Sequence, residues 1–468
     1  MHSKWSLSAS LRPAVAVATL PALAGLLALG LFAADAEAFC GFYVAKADSQ
    51  LFNEASKVVM TRHEGRTVIT MVNDYRGDPS EFAMVIPVPH VLERGQIHVT
   101  EGAIVDHLDA YTAPRLVEYF DPDPCRQPVL RALQSVQEAP APEGVAVSAD
   151  ALGVTIEAQY VVGEYDIVIL SAEQSAGLAT WLKANDYRLP EGVEPVLEHY
   201  LANGMKFFLA RVNLKEKTRL GTEFLRPLQI AFESPGFMLP IRLGMVNADG
   251  TQELFIMTLT RGGRVEMQNY RNVRMPSNLD MPIFVREEFD DFYRAMFDRQ
   301  VARENGRAVF LEYAWDMSWC DPCAADPLSY EELRELGVFW LDEPGQGVVA
   351  PRLPGGARDV FVTRMHLRYD ETTFPEDLRM IETGDRDNFQ GRYILRHPWT
   401  GAPKCEAARR YRQSLPERFE QEAQTLARLT DWPIAQIRRK MAADGQPFHM
   451  PTDEVGKKWW EKIWPDNE

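Results

Sequence analysis

The stretch KVVMTRHEGRTVITMV, residues 57–72, contains two runs rich in β-branched residues on either side of Glu64-Gly65. Valine, isoleucine and threonine favour strands, and glycine supplies the positive φ that a tight turn between two strands needs. The stretch therefore predicts a β-hairpin.

Further strand signals follow along the chain. FAMVI at 82–86 is apolar on both faces and is followed by Pro87 and Pro89, a pattern typical of a central strand covered on both sides. Asp249-Gly250 and Gly262-Gly263 predict two more hairpin turns, between strands near residues 238–270.

Helical periodicity appears in two places. After the strand YDIVIL at 165–170, a capping box predicts a helix with one apolar face; the box is Ser171 and Gln174, and the face is Leu178, Trp181 and Leu182. Residues 286–302 form a second helix pattern with an aromatic and methionine stripe typical of core packing; the stripe is Phe289, Tyr293, Met296 and Phe297.

These patterns predict an α+β protein, mostly antiparallel β-hairpins with packed helices and a helical C-terminal region. The transition PSNLDMP at 276–282 is the clearest boundary between domains. We expect a signal peptide at 1–38, a β-rich domain with inserted helices at 39–280, an α/β region that carries the Cys-x-x-Cys pair at 281–404, and a helical C-terminal segment at 405–468.

The N-terminus has the organisation of a secretory signal peptide. Lys4 and Arg12 are basic, residues 14–32 are almost wholly apolar, and Ala36-Glu37-Ala38 offers the small residues that signal peptidase requires. An uncleaved membrane anchor is the alternative, since the run approaches the ~20 residues that span a bilayer. The proline and glycines within the run favour cleavage. We expect a periplasmic or secreted protein.

The formal net charge of -17 belongs to the mature chain, because residues 1–38 carry as many basic as acidic side chains. Nucleic acids and anionic lipid surfaces repel such a protein. No later segment is both apolar and long enough to cross a bilayer, so we do not expect an integral membrane protein after cleavage. The expected partner is an envelope protein or a small-molecule ligand, and not a nucleic acid.

Five motifs carry a resemblance to a known family. They are AFCGFYVAKAD (38–48), NDYRGDPSEFAMVIPVP (73–89), APRLVEYFDPDPC (113–125), AWDMSWCDPCAADPLS (314–329) and GRYILRHPWTG (391–401). The chain resembles, from residue 39 to about residue 405, the uncharacterised exported bacterial family called domain of unknown function 2330. The resemblance implies export, and it brings no activity, substrate or catalytic residue.

The cysteines are the most direct pointer to chemistry, and there are five of them. Cys320 and Cys323 stand in Trp-Cys-x-Pro-Cys, the spacing of thioredoxin-like enzymes, after a strand-like segment at 308–316. If these two pair, one of Cys40, Cys125 and Cys405 is left single, and three alternative pairings of those three remain open. Structural disulfides persist in the oxidising compartment that the signal peptide implies.

A redox enzyme lowers the pKa of its attacking thiol by placing it at a helix N-terminus. Here Pro327 would stop a helix that began at the motif, and Ser329 with Glu332 predicts a capping box that starts the helix after it. Asp321 and Asp326 add negative charge that disfavours a thiolate. We therefore interpret Cys320 and Cys323 as a structural disulfide, with an envelope thiol-disulfide oxidoreductase as the alternative.

Other catalytic signatures are absent as motifs: the sequence has no Gly-x-Ser-x-Gly, no His-Glu-x-x-His, no Walker loop and no Gly-x-Gly-x-x-Gly after a strand. We predict no cofactor and no metal site. The histidines at 90, 98 and 107 lack metal-ligand spacing, and DRDNFQG at 385–391 departs from a calcium loop. Glu312 and Asp316 alternate with apolar residues and are expected on the wetter face of a strand.

The sequence therefore predicts an exported cell-envelope protein of unknown function that acts by binding or as a structural component. The oxidoreductase and a hydrolase with a dispersed site are the alternatives. A paired-acid hydrolase needs two carboxylates close in space, and sequence does not give that distance.

The mature chain is expected to begin at Phe39, because the peptidase pocket accepts only small side chains at the Ala-x-Ala site. Intact-mass measurement of the periplasmic or secreted protein checks this. Replacing Ala38 with a bulky residue should block processing. Recovery of an intact Met1 terminus from the membrane fraction of cells that express the unaltered chain would contradict it.

Overall fold

The hairpin at 57–72 lies inside the largest sheet of this computed structural model. Its strands are Asn53–His63 and Arg66–Met71, joined at Glu64 and Gly65, whose φ angles are 48° and 79°. The two strands pair antiparallel through His63 and Arg66, next to the turn. The predicted hairpin is therefore confirmed, and Gly65 has the backbone conformation for which glycine is suited.

The structure describes residues 42–46, 53–72, 82–126, 155–172, 175–185, 187–190, 192–220, 225–246, 248–319, 321, 325–342 and 359–448. The signal peptide, Cys40, Cys320, Cys323 and residues 449–468 lie outside these ranges.

Runs of strands are separated by helices along the chain. They are β1 (Phe42–Lys46), β2 (Asn53–His63), β3 (Arg66–Met71), β4 (Phe82–Val88), β5 (Ile97–Val99), β6 (Arg115–Phe120), β7 (Thr155–Val162), β8 (Tyr165–Ser171), β9 (Tyr187–Arg188), β10 (Lys206–Val212), β11 (Leu228–Glu233), β12 (Met238–Leu239), β13 (Ala248–Thr260), β14 (Val265–Met267), β15 (Arg271–Arg274), β16 (Leu279–Met281), β17 (Ala308–Asp316), β18 (Phe361–Tyr369), β19 (Leu378–Glu382), β20 (Phe389–Gln390) and β21 (Arg392–His397).

The helices are α1 (Gly102–Thr112), α2 (Ser175–Ala184), α3 (Val193–Ala202), α4 (Leu214–Leu220), α5 (Arg242–Val246), α6 (Phe289–Arg303), α7 (Tyr330–Glu335), α8 (Glu406–Thr430) and α9 (Ile434–Ala443). Short 3-10 turns occupy 94–96, 283–286 and 339–342. The predicted α+β class and the helical C-terminal region are confirmed.

Two large sheets and two small ones contain these strands. The order is β7-β8-β10-β4-β1-β9 in the first and β15-β17-β18-β13-β2-β3-β11-β5 in the second, where β20 also pairs with β17. The small sheets are β12-β19-β14 and β16-β21-β6. Most pairings are antiparallel, whereas β13 with β2, β15 with β17 and both pairings of the last sheet are parallel.

The main core joins the two large sheets, with helices on their other faces. Met84 and Phe208 of one sheet and Met60 and Ile256 of the other belong to a single buried cluster. Helices α2 and α3 cover the first sheet, α1 and α7 pack on the second, and α6, α8 and α9 pack with the parallel small sheet. Burial of apolar surface in these layers is the main stabilising contribution to the fold.

Several local predictions differ from the structure. Asp249-Gly250 is not a hairpin turn, because it lies within β13 at a register shift between residues 248 and 253. Gly262-Gly263 does turn the chain, but the strands on its two sides pair in different sheets. Strand β4 continues through Pro87 to Val88, and Ser171 ends β8 rather than capping α2, which begins at residue 175.

The second large sheet takes strands from both sides of the boundary expected near residue 281, since β17 and β18 pair in it with β13 and β15. The division into 39–280, 281–404 and 405–468 stays a prediction about independently folding units.

One disulfide is present among the described residues. It joins Cys125, after β6, to Cys405, the residue before α8, with 5.9 Å between their Cα atoms. Of the three pairings left open by the sequence, the structure contains this one. The bridge closes a loop with a sequence separation of 280 residues and so attaches the C-terminal helices to the end of β6.

Replacing both cysteines with serine is expected to lower the free energy of unfolding by about 2–5 kcal/mol, because the bridge restricts the unfolded chain. Chemical denaturation of the oxidised protein measures this. Either single serine variant should be destabilised as much as the double variant, since each breaks the same bridge. A non-reducing peptide map that links Cys125 to Cys40 would contradict the pairing.

Candidate functional site

Glu312 is the buried centre of the candidate site, and it lies at an irregularity of β17. The pairing of β17 with β18 shifts register between Leu311 and Tyr313, so Glu312 is the extra residue of a β-bulge. Its side chain is fully buried. One carboxylate oxygen accepts a hydrogen bond from His366 Nδ1 at 2.9 Å, and the other accepts one from Arg364 Nε at 2.6 Å.

The ion pairs of Glu312 continue in both directions across the sheet. At one end, Lys57 Nζ of β2 lies 2.8 Å from the Asp109 carboxylate of α1. At the other end, the Arg368 guanidinium of β18 lies 2.8 Å from the Asp298 carboxylate of α6. Each group contacts neighbours of opposite charge. We call the series the charge chain; in order it is Lys57, Asp109, Arg364, Glu312, His366, Glu253, Arg368 and Asp298.

Two phenylalanine rings enclose the histidine of the charge chain. Phe297 of α6 stacks on the His366 imidazole with ring centroids 3.6 Å apart, and Phe255 of β13 stacks on it at 4.0 Å. The Tyr293 hydroxyl of α6 donates to Glu312. Only 2% of His366 is exposed, so the rings and the tyrosine separate the centre of the charge chain from solvent.

The charges set the protonation of the buried groups. Burial alone would raise the pKa of Glu312, but the charges of His366 and Arg364 lower that pKa to about 2. Burial likewise opposes ionisation of Glu253, while the hydrogen bond and charge of His366 bring its pKa to about 2. Burial would lower the pKa of His366, yet the two carboxylates raise it above the usual histidine value. The centre therefore favours an imidazolium between two carboxylates.

This arrangement is poorly suited to acid–base catalysis. A general base is most effective when its pKa lies near the working pH, whereas the pKa of Glu312 is about 2 and both of its oxygens accept hydrogen bonds. The expectation that Glu312 and Asp316 lie on a wet face was wrong. Glu312 is 0% and Asp316 7% exposed, because α6 covers the first and Arg386 pairs with the second at 2.7 Å.

The Cys-x-x-Cys pair itself lies outside the described residues, but its surroundings are described. Asp321, between the two cysteines, is buried and accepts hydrogen bonds from the Tyr313 hydroxyl at 3.0 Å and from Gln390 Nε2 at 2.6 Å. Ser329 Oγ accepts from the Glu332 amide at 3.1 Å, and α7 begins with the next residue. The predicted capping box is confirmed. Pairing and redox activity of the two cysteines stay predictions.

His107 of α1 holds the segment between the Cys-x-x-Cys pair and α7. Its Nδ1 lies 2.7 Å from the Glu332 carboxylate, and its Nε2 lies 2.8 Å from the Asp326 carbonyl oxygen. Burial opposes protonation, but the hydrogen bonds to Glu332 and Asp326 raise the pKa of His107 above its ordinary value. The histidine therefore acts here as a structural contact.

The described ranges contain no candidate metal site. In that part of the chain no set of three or more His, Cys, Asp or Glu side chains is arranged to hold a metal ion. Within the calcium-like stretch, Asp385 instead pairs with Arg264 at 2.7 Å, and Asn388 accepts from the Asp316 amide at 2.9 Å.

An open cleft lies where three connections meet. They are the connection from β14 into β15, the connection from α6 to β17, and the connection from β18 to β19. The volume of the cleft is about 360 Å³. The Tyr270 hydroxyl donates to the Glu376 carbonyl at 2.8 Å and accepts from the Glu376 amide at 2.9 Å, which holds one wall in place. We call this the polar cleft; its lining residues are Asn269, Tyr270, Arg271, Arg307, Thr372, Thr373, Pro375 and Glu376.

Sequence reasoning did not identify the charge chain or the polar cleft. A signal for the first was present in FVTRMHLRY at 361–369, where Arg364, His366 and Arg368 occupy every second position and so share one face of a strand. The cleft residues come from three separate segments, and no short motif joins them.

The fold and these sites define an α+β protein with a charge-paired interior and a polar surface cleft. Residues 34–381 match a family model described as an uncharacterized protein conserved in bacteria, DUF2330. The match spans more than half of the chain, and the chain belongs to this family. No curated protein and no solved structure matches it. None of the helices in the described ranges is long and apolar enough to cross a membrane.

Glu312→Gln is expected to lower the free energy of unfolding at pH 7 by about 3–5 kcal/mol, because it leaves the buried Arg364 and His366 with too little negative charge. Chemical denaturation measures this. The unaltered protein should lose stability as the pH falls from about 4.5 toward 2, since the pKa of Glu312 is about 2 when folded and ordinary when unfolded.

The Glu312→Gln variant should show a smaller loss over the same acid range. Glu233→Gln, at the exposed end of β11, is the matched control and should change stability by less than about 0.5 kcal/mol. Equal stability of Glu312→Gln and the control at pH 7 would contradict a charge-paired role for Glu312.

Proposed function

We propose that this protein is exported to the cell envelope and acts there by binding a small molecule in the polar cleft. Support for export comes from the signal-peptide pattern at 1–38 and from the Cys125–Cys405 disulfide, since such bridges persist in oxidising compartments.

The volume of the polar cleft is the observation that carries the binding function. At about 360 Å³ it lies within the range of roughly 300–1,000 Å³ that is typical of small-molecule sites. It offers aromatic, aliphatic and charged groups together, as such sites do.

The walls of the cleft are held by contacts that do not need a ligand. Asn269 donates to the Asp377 carbonyl at 2.8 Å and accepts from the Arg379 amide at 3.0 Å. In the connection after β18, the Asp370 carboxylate accepts from the hydroxyls of Thr372 at 2.6 Å and Thr373 at 3.0 Å. A wall fixed in advance reduces the entropy lost on binding.

Filling the cleft tests the proposal. Glu376→Trp adds bulk from an exposed side chain, while the main-chain contacts of residue 376 with Tyr270 are retained. Glu371→Trp, on the same connection but outside the cleft lining, is the matched control. Ligand-observed NMR with benzoate, benzamide, acetate and glucose should show a probe that binds the unaltered protein and the control but not Glu376→Trp. Binding by no probe, or binding that survives the cleft-filling change, overturns the proposed function.

A further inference from the structure

The charges of the polar cleft are unequally compensated. Arg271 pairs with Glu304 at 3.1 Å, and the Glu376 carboxylate pairs with Arg379 at 2.6 Å. The exposed Arg307 donates to the Thr372 carbonyl oxygen at 3.5 Å, and no carboxylate of the described residues lies within ion-pair distance of it. Arg307 is therefore the cation of the cleft that is available to a ligand.

The other polar groups of the cleft are largely occupied. The hydroxyls of Thr372 and Thr373 donate hydrogen bonds to the Asp370 carboxylate. The Tyr270 hydroxyl is hydrogen-bonded to the main-chain carbonyl and amide of Glu376. Apart from the charged and amide groups, the lining is apolar: the tyrosine ring, which packs on Phe374 with centroids 4.4 Å apart, and Pro375.

We infer that the ligand of the polar cleft is a small organic anion with one acidic group, bound by Arg307, and an apolar body that lies against Tyr270 and Pro375. This inference rests on the proposed function. A guanidinium presents a planar pair of donors that matches a carboxylate. The net charge of -17 works against multiply charged anions, which favours a single acidic group.

Benzoate, benzamide and acetate separate the two parts of this inference. Benzoate has the charge and the planar body, benzamide keeps the body without the charge, and acetate keeps the charge without the body. By titration calorimetry or NMR, benzoate should bind the unaltered protein roughly tenfold or more tightly than either of the others. Benzamide lacks the charge-assisted hydrogen bond to Arg307, and acetate lacks the apolar contact with Tyr270 and Pro375. Added salt should weaken benzoate binding and leave benzamide unchanged.

Arg307→Gln should weaken benzoate binding roughly ten- to hundredfold and leave benzamide binding unchanged. Arg307→Lys should retain part of the affinity, since the charge remains. Arg303→Gln, an equal charge change near the end of α6 and outside the cleft lining, is the control and should bind benzoate as the unaltered protein does. Unaltered melting temperatures exclude a folding defect as the cause.

The outcomes distinguish this inference from the proposed function. If benzamide or glucose binds in the cleft at least as tightly as benzoate, or if Arg307→Gln and Arg303→Gln bind benzoate equally well, the anionic ligand class is wrong while a binding role stands. If none of the probes binds, both are wrong.

Discussion

The burial of the Glu312 carboxylate is the constraint on which the centre of the second large sheet, the one that contains β17 and β18, depends. Taking an ionised group out of water costs several kcal/mol unless it is compensated by charge and hydrogen bonds. The compensation comes from β18, α6 and, through Arg364, from α1. These elements are far apart in sequence, so the charge chain adds a condition on their relative positions that apolar packing alone does not impose.

A second buried acid shows what the charge chain achieves. Glu422 of α8 is 2% exposed. It accepts a hydrogen bond from Gln446 at 2.7 Å, and Arg418 lies 3.4 Å away. Burial is the dominant influence and raises the pKa of Glu422 to about 7, whereas the pKa of Glu312 falls to about 2. The two differ in the strength of the opposing charge, since Glu312 contacts both a guanidinium and an imidazole at shorter distances.

Features with a local cause were predictable from sequence. The hairpin turn at Glu64-Gly65, the stripe of α6 and the capping box of Ser329 each depend on residues a few positions apart. The hairpin turn predicted at Asp249-Gly250 was wrong, because a glycine with positive φ occurs in bulges within strands as well as in turns. The burial of Glu312 and the partner of Cys125 depend on segments distant in sequence. The alternation of polar and apolar residues along a strand does not show which other elements cover its two faces.

Helix α6 connects the interior with the surface cleft. Phe297 and Asp298 hold the charge chain through His366 and Arg368, and Glu304, just after the helix, pairs with Arg271 in the cleft. The inner face of α6 is fixed by these buried contacts, and Glu304 follows the last residue of the helix directly. The same helix therefore keeps Arg271 neutralised by Glu304. That pairing leaves the charge of Arg307, which precedes the residue that pairs with Arg271 between β15 and β17, as the one that a bound anion would meet.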